Sequence, residues 1–261
     1  NLCPVTLELG GKSPAVLFDD FPMRLAAERL LFGKCFNAGQ VCTTVDHLFV
    51  PEAKVAGFVE MAKEIVTARY PTLDTPDYTS IIDDRAFNRI TNALQDAKER
   101  GATLVQLIPG KAWDKKTRKI APHVVLNAPA DCELRTREIF GPILPVIAYT
   151  NIEDTITTIN NGPRPLALYP FSNKKKQVHH LITHVMSGGV TVNDGILHTA
   201  QHDMPFGGVG DSGMGHYHGY EGFLTFSKMR PVFYQAPFSA VKFMYPPYGK
   251  FATKYLDFLT K

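Results

Sequence analysis

The sequence predicts an α/β fold with a mostly parallel sheet and flanking helices. Two observations lead to this prediction. Short β-type runs alternate with helical patterns along most of the chain, and apolar residues in the longer segments recur at helical spacing. Such alternation is typical of parallel strands joined by crossover helices. No internal repeat is visible, so one large domain, or a domain and a half, accounts for the 261 residues.

Five helices are predicted, and the third has the clearest end signals. It begins at a pair of Asp residues and stops at Gly101, and both residue types are frequent at those helix ends. The second stops before Pro71, because the residue before a proline disfavours helical backbone. The predicted helices cover residues 23–36, 52–70, 83–100, 152–160 and 173–186.

The predicted strands are short apolar runs rich in β-branched residues. They cover residues 15–18, 48–50, 103–108, 124–126, 144–148, 166–169 and 190–192. Leu7 and Leu9 resemble the end of a further strand, and the lysine-rich stretch 111–119 is predicted to be a solvated loop. Because the chain opens without Met or a charged leader, we expect it to be a fragment.

Composition excludes several classes of protein. A chain that is 44% hydrophobic is too apolar for intrinsic disorder, and 20 Gly and 19 Pro are too few for a collagen-like chain. A net charge of +3 without a basic stripe gives no reason to expect a nucleic-acid partner. No apolar run reaches the roughly 18 residues that span a membrane. Four Cys without a CxxC pair indicate free thiols in the cytoplasm.

Cys42 is the first residue that could carry chemistry. It follows Asn-Ala-Gly-Gln-Val, where the first predicted helix ends and the backbone is expected to turn sharply. A thiol in such a turn can face a ligand, while neighbouring amide N–H groups face the oxygen of the group that it attacks. The alternative is that Cys42 is a small buried apolar side chain.

Two carboxylates are further candidates. Glu8 lies between two leucines at a strand end, where a buried carboxylate needs a partner or serves as a base. Its alternative role is an ion pair with Lys12 or an exposed position at an edge. Glu138 lies ahead of a predicted strand, next to an aromatic residue and a turn, and taken alone it could be purely structural.

Four motifs occur together in the order and approximate spacing of the aldehyde dehydrogenase superfamily. They are Leu-Glu-Leu-Gly-Gly-Lys-Ser-Pro (7–14), Phe-Asn-Ala-Gly-Gln-Val-Cys-Thr (36–43), Glu-Ile-Phe-Gly-Pro (138–142) and Pro-Phe-Gly-Gly-Val-Gly-Asp-Ser-Gly-Met-Gly (205–215). The resemblance runs from about Thr6 to about Pro231. Within the superfamily the chain resembles the shorter, class-3-like branch, and most of all the coniferyl aldehyde dehydrogenases.

The resemblance implies roles for residues of this sequence. Cys42 matches the nucleophile that forms a thiohemiacetal and then a thioester as a hydride leaves for NAD or NADP, with NAD favoured. Glu8 matches the base that activates water to hydrolyse the thioester, and the backbone N–H of Cys42 matches one arm of the oxyanion hole. Glu138 matches the carboxylate that holds the nicotinamide ribose. The other matches are Phe140 beside it, Leu9 as a backbone contact to the nicotinamide amide, and Asn193 and Phe206 lining the substrate site.

The resemblance also implies a domain organisation. Residues 1–12 would end the dinucleotide-binding domain, 13–230 would form the catalytic domain, and 231–261 would be a C-terminal docking or oligomerisation tail. Because most of the cofactor domain would precede Glu8, we expect this chain to bind the dinucleotide poorly. The intact protein is expected to be a homo-oligomer that acts on a small-molecule aldehyde, without a nucleic-acid partner and with membrane contact disfavoured.

Two apparent motifs have simpler interpretations. Residues 208–213 fit the spacing G-x-G-x-x-G, but no strand precedes them and no helix follows, so a loop is predicted instead of a dinucleotide fingerprint. Two histidine pairs are spaced four residues apart but lack a third ligand, so no metal site is predicted. These pairs are His180 with His184, and His198 with His202.

Two other functions stay open at this point. Cys42 and Glu8 could form and hydrolyse a thioester from an activated ester without any cofactor, which would make the chain a thiol esterase. Alternatively, the chain could be a non-catalytic structural module. The presence of Cys42, Glu8 and Glu138 in their motifs argues against the structural alternative.

Overall fold

The computed structural model describes residues 2–260 and confirms the predicted α/β class. The chain divides into two compact units, one ending at Thr225 and the other beginning at Phe226. The helices are α1 (Met23–Cys35), α2 (Val55–Arg69), α3 (Asp84–Glu99), α4 (Glu133–Thr136), α5 (Ile152–Asn160), α6 (Lys175–His184), α7 (Gly219–Thr225) and α8 (Lys250–Leu259). The strands are β1 (Leu7–Glu8), β2 (Pro14–Leu17), β3 (His47–Pro51), β4 (Thr103–Gln106), β5 (Trp113–Asp114), β6 (Lys119–Ile120), β7 (His123–Leu126), β8 (Ile143–Tyr149), β9 (Ala167–Phe171), β10 (Gly189–Val190) and β11 (Gly213–Met214).

A seven-stranded sheet lies at the centre of the first unit. Its strand order is β10-β9-β2-β3-β8-β7-β4, and every neighbouring pair is parallel except β4 and β7. In the middle of the sheet, Ala15 of β2 lies opposite Leu48 of β3, which in turn lies opposite Val146 of β8. Since these three adjacent strands are parallel, the segments that lead into them meet at one edge of the sheet.

Helices cover both faces of the sheet, because successive side chains of a strand point to opposite faces. Leu17 and Leu48 belong to the larger core, which also contains buried residues of α1, α2 and α3. Val16 and Phe49 belong to the smaller core, which is formed with α5 and α6. Burial on both faces explains why the central strands read as continuous apolar runs and do not alternate with polar residues.

The predicted helices agree closely with the structure. The side chain of Asp83 caps α3 by accepting a 2.7 Å hydrogen bond from the N–H of Ala86. Gly101 follows the helix with a left-handed φ of +94°. These two residues supplied the end signals in the sequence, and both act as expected.

Some predicted strands and one loop differ from the structure. The strand predicted at 190–192 is the short β10, which lies slightly earlier in the chain. The strand predicted at 103–108 stops at Gln106. The solvated loop predicted at 111–119 is wrong in part, because β5 and β6 pair there as an antiparallel hairpin. Two-residue strands carry too little pattern to be read from sequence.

The second unit contains the helix α8. Phe251 and Tyr255 lie one turn apart, and their rings stack with centroids 6.5 Å apart. The ammonium group of Lys242 lies 4.7 Å from the ring centroid of Phe238. Within the described part of the chain, no helix has the length and apolar character needed to cross a membrane.

The backbone turns sharply after α1, as the sequence predicted. Asn37 and Ala38 adopt left-handed conformations with φ of 49° and 50°, and Gly39 follows with φ of 73°. A Cβ atom on Gly39 would overlap the carbonyl oxygen of Gly141. Glycine is therefore required here for two reasons, the left-handed backbone and the close approach of a second segment.

Replacing Gly39 with Ala is expected to lower the free energy of unfolding by about 2–4 kcal/mol, because backbone strain and steric overlap add. Gly101→Ala is the matched control, since Gly101 also has a positive φ but has nothing within 4 Å of an added Cβ. It should cost only about 1 kcal/mol. Urea unfolding followed by circular dichroism measures both. Equal losses in the two variants would show that the approach to Gly141 is unimportant.

Candidate active site

Three segments meet at the amino edge of the central strands. Glu8 lies in the segment that leads into β2, Cys42 in the segment that leads into β3, and Glu138 in the segment that leads into β8. These strands are neighbours in the sheet. The charges of Glu8 and Glu138 both act on the thiol of Cys42, so the three groups share one region. The sequence motifs that contain them are therefore brought together by the sheet.

Cys42 lies just after the left-handed turn and is partly exposed, whereas Cys35 and Cys132 are buried. Burial raises the pKa of the Cys42 thiol, and the negative charges of Glu8 and Glu138 raise it further. The backbone N–H groups of Thr43 and Cys42 act in the opposite direction, because they donate toward the sulfur. The thiol is thus protonated at neutral pH and needs a base before it can attack.

Glu8 is held by the glycine-rich segment that contains β11. It pairs with Gly213 across the antiparallel β1–β11 ladder, and its carboxylate accepts a hydrogen bond from the N–H of Gly208. Partial burial of the carboxyl group raises its pKa despite that bond. The alternative ion pair with Lys12 is wrong, since Lys12 pairs with Asp46 at 2.5 Å. The other alternative, an exposed position, agrees with the structure, because Glu8 is exposed in β1. No cation among residues 2–260 pairs with its carboxylate.

The segment 208–213 is a loop, as predicted. It forms a short 3-10 turn at Gly210–Ser212 and then pairs as β11, so it is not a strand-to-helix connection. The carbonyl oxygen of Ser212 accepts a 3.1 Å hydrogen bond from the N–H of Leu9. The glycines thus allow one loop to run close to the backbone on both sides of Glu8.

Glu138 is half-buried, and burial raises the pKa of its carboxyl group from 4.5 to about 7. The N–H of Gly11 donates to the carboxylate and opposes this shift. Gly10 lies against the same carboxylate, since a Cβ atom there would be 2.6 Å from Oε2 of Glu138. Phe140 lies two residues further on, with a φ of 46°. Its ring is exposed.

A buried carboxylate, Asp46, connects the three segments, and it was not among the candidates identified from the sequence. Its Oδ2 pairs with Lys12, its Oδ1 accepts a 2.9 Å hydrogen bond from the N–H of Ile139, and its own N–H donates to the carbonyl of Ser13 at 2.8 Å. Burial alone would raise its pKa, but Lys12, His47 and Lys34 hold it well below the usual range. The available signal was that Asp46 lies between Val45 and a predicted buried strand, where a carboxylate needs a partner.

Three further residues were assigned to the site by the resemblance, and each has its own surroundings in the structure. Phe206 is buried, and its backbone pairs with Tyr217 through hydrogen bonds of 2.6 and 2.8 Å. The side chain of Asn193 accepts a 2.8 Å hydrogen bond from the N–H of Ser172, so its amide oxygen is engaged within the fold. The side chain of Leu9 is exposed. Their roles at the substrate and cofactor stay predictions.

Comparisons with known proteins identify the family of this chain. Residues 1–232 match the aldehyde dehydrogenase family. The chain belongs to this family. A probable coniferyl aldehyde dehydrogenase from Pseudomonas aeruginosa is 51% identical over 251 residues, which make up 96% of this chain and 52% of that protein.

Solved structures of the family show the same fold. The substrate-bound state of AldH from Staphylococcus aureus matches 99% of this chain and 55% of that one, with a TM-score of 0.87 and 34% identity. An NADP-dependent glyceraldehyde-3-phosphate dehydrogenase from Bacillus halodurans, complexed with NADP, matches 88% of this chain and 48% of its own, with a TM-score of 0.80 and 28% identity. The chain thus spans about half the length of the relatives it matches.

One further residue of this aldehyde dehydrogenase chain lies near the site and was not found from the sequence. Burial raises the pKa of Tyr217, and so do the charges of Glu8 and Cys42, which places its hydroxyl near both groups. Its ring packs edge-on against Phe206 with centroids 5.8 Å apart. Residues 2–260 contain no cluster of three or more His, Cys, Asp or Glu side chains that could hold a metal ion.

Replacing Glu8 with Gln is expected to make Cys42 more reactive, because a negative charge that raises the thiol pKa is removed. Alkylation by iodoacetamide at neutral pH should be about two- to fivefold faster. Mass spectrometry follows the reaction, and Cys42→Ala gives the background from the exposed Cys3. Glu60→Gln, on the surface of α2, is the control that should change nothing. A slower reaction in Glu8→Gln would contradict the expected charge effect.

Glu138 is expected to make stability depend on pH. Its folded pKa of about 7 lies above the ordinary 4.5, so the unfolded chain loses this proton first as the pH rises. Between pH 4.5 and 7, the free energy of unfolding of the wild type should therefore fall by about 1–2 kcal/mol relative to that of Glu138→Gln. This loss is smaller than the whole pKa shift would give, because the carboxyl group is partly exposed to solvent. Urea unfolding of both proteins across this range measures the difference. A constant difference would rule out the raised pKa.

Proposed function

We propose that residues 13–230 act as the catalytic domain of an NAD(P)-dependent aldehyde dehydrogenase. Its substrate would be an aromatic aldehyde resembling coniferyl aldehyde, and its product the carboxylic acid. The observation that carries this proposal is the meeting of Cys42, Glu8 and Glu138 at one sheet edge, with both carboxylates acting on the thiol. Family membership supports the reaction class. The likeness to a probable coniferyl aldehyde dehydrogenase supports the substrate class.

The reaction begins with the loss of the Cys42 proton. Because burial and both carboxylates raise the thiol pKa, only a small fraction of the protein carries the thiolate at neutral pH, and the proton of Cys42 passes to solvent. The thiolate then bonds to the aldehyde carbon to give a thiohemiacetal. The backbone N–H of Cys42 can donate to the oxygen that becomes negative in this step.

Hydrolysis of a thioester on Cys42 completes the proposed reaction. A nicotinamide held by Glu138 would supply the hydride acceptor that turns the thiohemiacetal into this thioester. Glu8 then takes a proton from water as the water oxygen bonds to the acyl carbon. The carbon–sulfur bond breaks, which releases the carboxylic acid and returns Cys42 to its starting state.

The residues present fit the nicotinamide end of a dinucleotide. The Glu138 carboxylate accepts a hydrogen bond from Gly11, and the missing side chain of Gly10 lets the carboxylate lie directly against the backbone there. A carboxylate in this setting can hold ribose hydroxyls, with Leu9 and Phe140 exposed nearby. Because the chain spans about half the length of its relatives, we expect it to bind NAD or NADP poorly by itself. A homo-oligomeric state and a cytoplasmic location also stay predictions.

A thiol esterase is the second candidate, and one observation favours it for this chain. Both groups that form and hydrolyse a thioester, Cys42 and Glu8, lie within the first unit. Their chemistry needs no dinucleotide when the substrate is an activated ester. Ester hydrolysis therefore also tests the two proposed catalytic residues without the cofactor.

The deciding experiment mixes the chain with nitrophenyl acetate. We expect a burst of nitrophenol equal to the amount of protein, followed by slower turnover. Cys42→Ala should abolish the burst, whereas Glu8→Gln should keep the burst and slow turnover by about 10²–10⁴-fold. Coniferyl aldehyde with NAD or NADP is assayed in parallel, and any reduced nicotinamide should depend on Cys42.

A burst or an aldehyde oxidation that survives in Cys42→Ala would overturn the proposed role of Cys42. Turnover that is unaffected in Glu8→Gln would remove Glu8 as the hydrolytic base. Glu60→Gln controls for an unspecific effect of losing one surface carboxylate.

A further inference from the structure

A cavity of about 440 Å³ opens beside the amino ends of β2 and β3. Three basic side chains, Lys12, His47 and Arg135, line it. The other lining residues are uncharged and come mostly from the end of α5 and the turn that follows it. None of the proposed catalytic residues lines this cavity, and neither does any acidic side chain of residues 2–260.

Lys12 and His47 already have a partner behind the cavity wall. The ammonium of Lys12 pairs with Asp46 and donates to the carbonyl oxygens of Leu134 at 3.0 Å and Arg137 at 2.9 Å. Nδ1 of His47 lies 3.4 Å from the same Asp46 carboxylate. Asp46 thus compensates Lys12 and orients the imidazole of His47.

Arg135 has no such compensation. Its guanidinium makes one long hydrogen bond, 3.4 Å to the carbonyl oxygen of Ala128, and no carboxylate of the described chain lies within 4 Å. The side chain of Arg135 is half-buried, and this burial lowers the pKa of its guanidinium. Most of its five N–H donors therefore have no protein acceptor.

This state is exceptional among the half-buried arginines of residues 2–260. Each of the others has a carboxylate or a hydrogen bond of at most 3.0 Å. They are Arg29 with Asp194, Arg89 with the carbonyl of Ile139, Arg118 with Asp84, and Arg164 with the side chain of Asn160. A partly desolvated guanidinium without an anion costs free energy that a bound anion would recover.

We propose that this cavity binds a small molecule that carries a phosphate or a carboxylate group, and that Arg135 holds its oxygen atoms. The planar guanidinium matches either group through two parallel hydrogen bonds. His47, at the start of β3, lines the same cavity as Arg135, which puts its ring within reach of the same ligand. The cavity volume is of the size that encloses a small molecule and exceeds what a bare anion fills.

The test titrates the chain, labelled with carbon-13 in its histidines, with inorganic phosphate and separately with acetate. Ionic strength is held constant with sodium chloride, and His47→Gln assigns the His47 resonance in the NMR spectrum. We expect a saturable shift of that resonance with a dissociation constant on the order of 1 mM. Arg135→Met should weaken binding at least tenfold.

Two control variants make the result specific. Arg137→Met removes an exposed arginine of the same segment that pairs with Glu133, and it should leave binding unchanged. Cys42→Ala should also leave binding unchanged, which separates this site from the proposed catalytic one. Arg135→Lys keeps the charge without the planar fork, and it should also weaken binding. It replaces Arg135→Met as the test if that variant does not fold.

The two probes distinguish the ligand classes. Saturation by phosphate alone would identify a phosphate ester, saturation by acetate alone a carboxylate, and saturation by both would admit either. The proposal is overturned if neither probe gives a saturable shift, or if the Arg135 variants bind as tightly as the wild type. These outcomes do not depend on whether Cys42 forms a thioester.

Discussion

The arrangement of the candidate site depends on one buried carboxylate, Asp46. Its two oxygens reach Lys12, which follows the Glu8 segment, and the N–H of Ile139, which follows Glu138. Asp46 itself lies four residues after Cys42. Breaking a buried ion pair by removing one partner typically costs about 3–5 kcal/mol, because the other charge is left uncompensated. The relative positions of Cys42, Glu8 and Glu138 thus depend on the contacts of Asp46, in which none of these three side chains takes part.

Further contacts fix the Glu138 segment without touching its carboxylate. Arg89 of α3 donates to the carbonyl oxygen of Ile139 at 2.5 Å, while Gly39 leaves room for the carbonyl of Gly141 to approach the turn before Cys42. The Glu138 backbone is therefore held from a helix, a turn and a buried aspartate at once. Such multiple support is what keeps a half-buried carboxylate in place although burial disfavours its charge.

The electrostatic character of this edge differs from that of the neighbouring cavity. Around Cys42, burial raises the pKa values of the thiol and of Glu8, and the negative charges of Glu8 and Glu138 raise the thiol pKa further. Around Arg135, the excess is positive and no acidic side chain lines the cavity. Lys12 and Asp46 lie between the two regions and neutralise each other. One sheet edge thus presents a negative region and a positive region on either side of a single buried pair.

Local sequence by itself determined the helices and their ends, and it singled out Cys42, Glu8 and Glu138 as candidate site residues. Asp83 and Gly101 marked the ends of α3 because capping depends on neighbouring residues alone, and the motif around Cys42 marked a turn for the same reason. Only the tertiary structure decided which residues meet. The parallel pairing of β2, β3 and β8, the role of Asp46 and the uncompensated charge of Arg135 arise from contacts between distant segments, and no local pattern encodes such contacts.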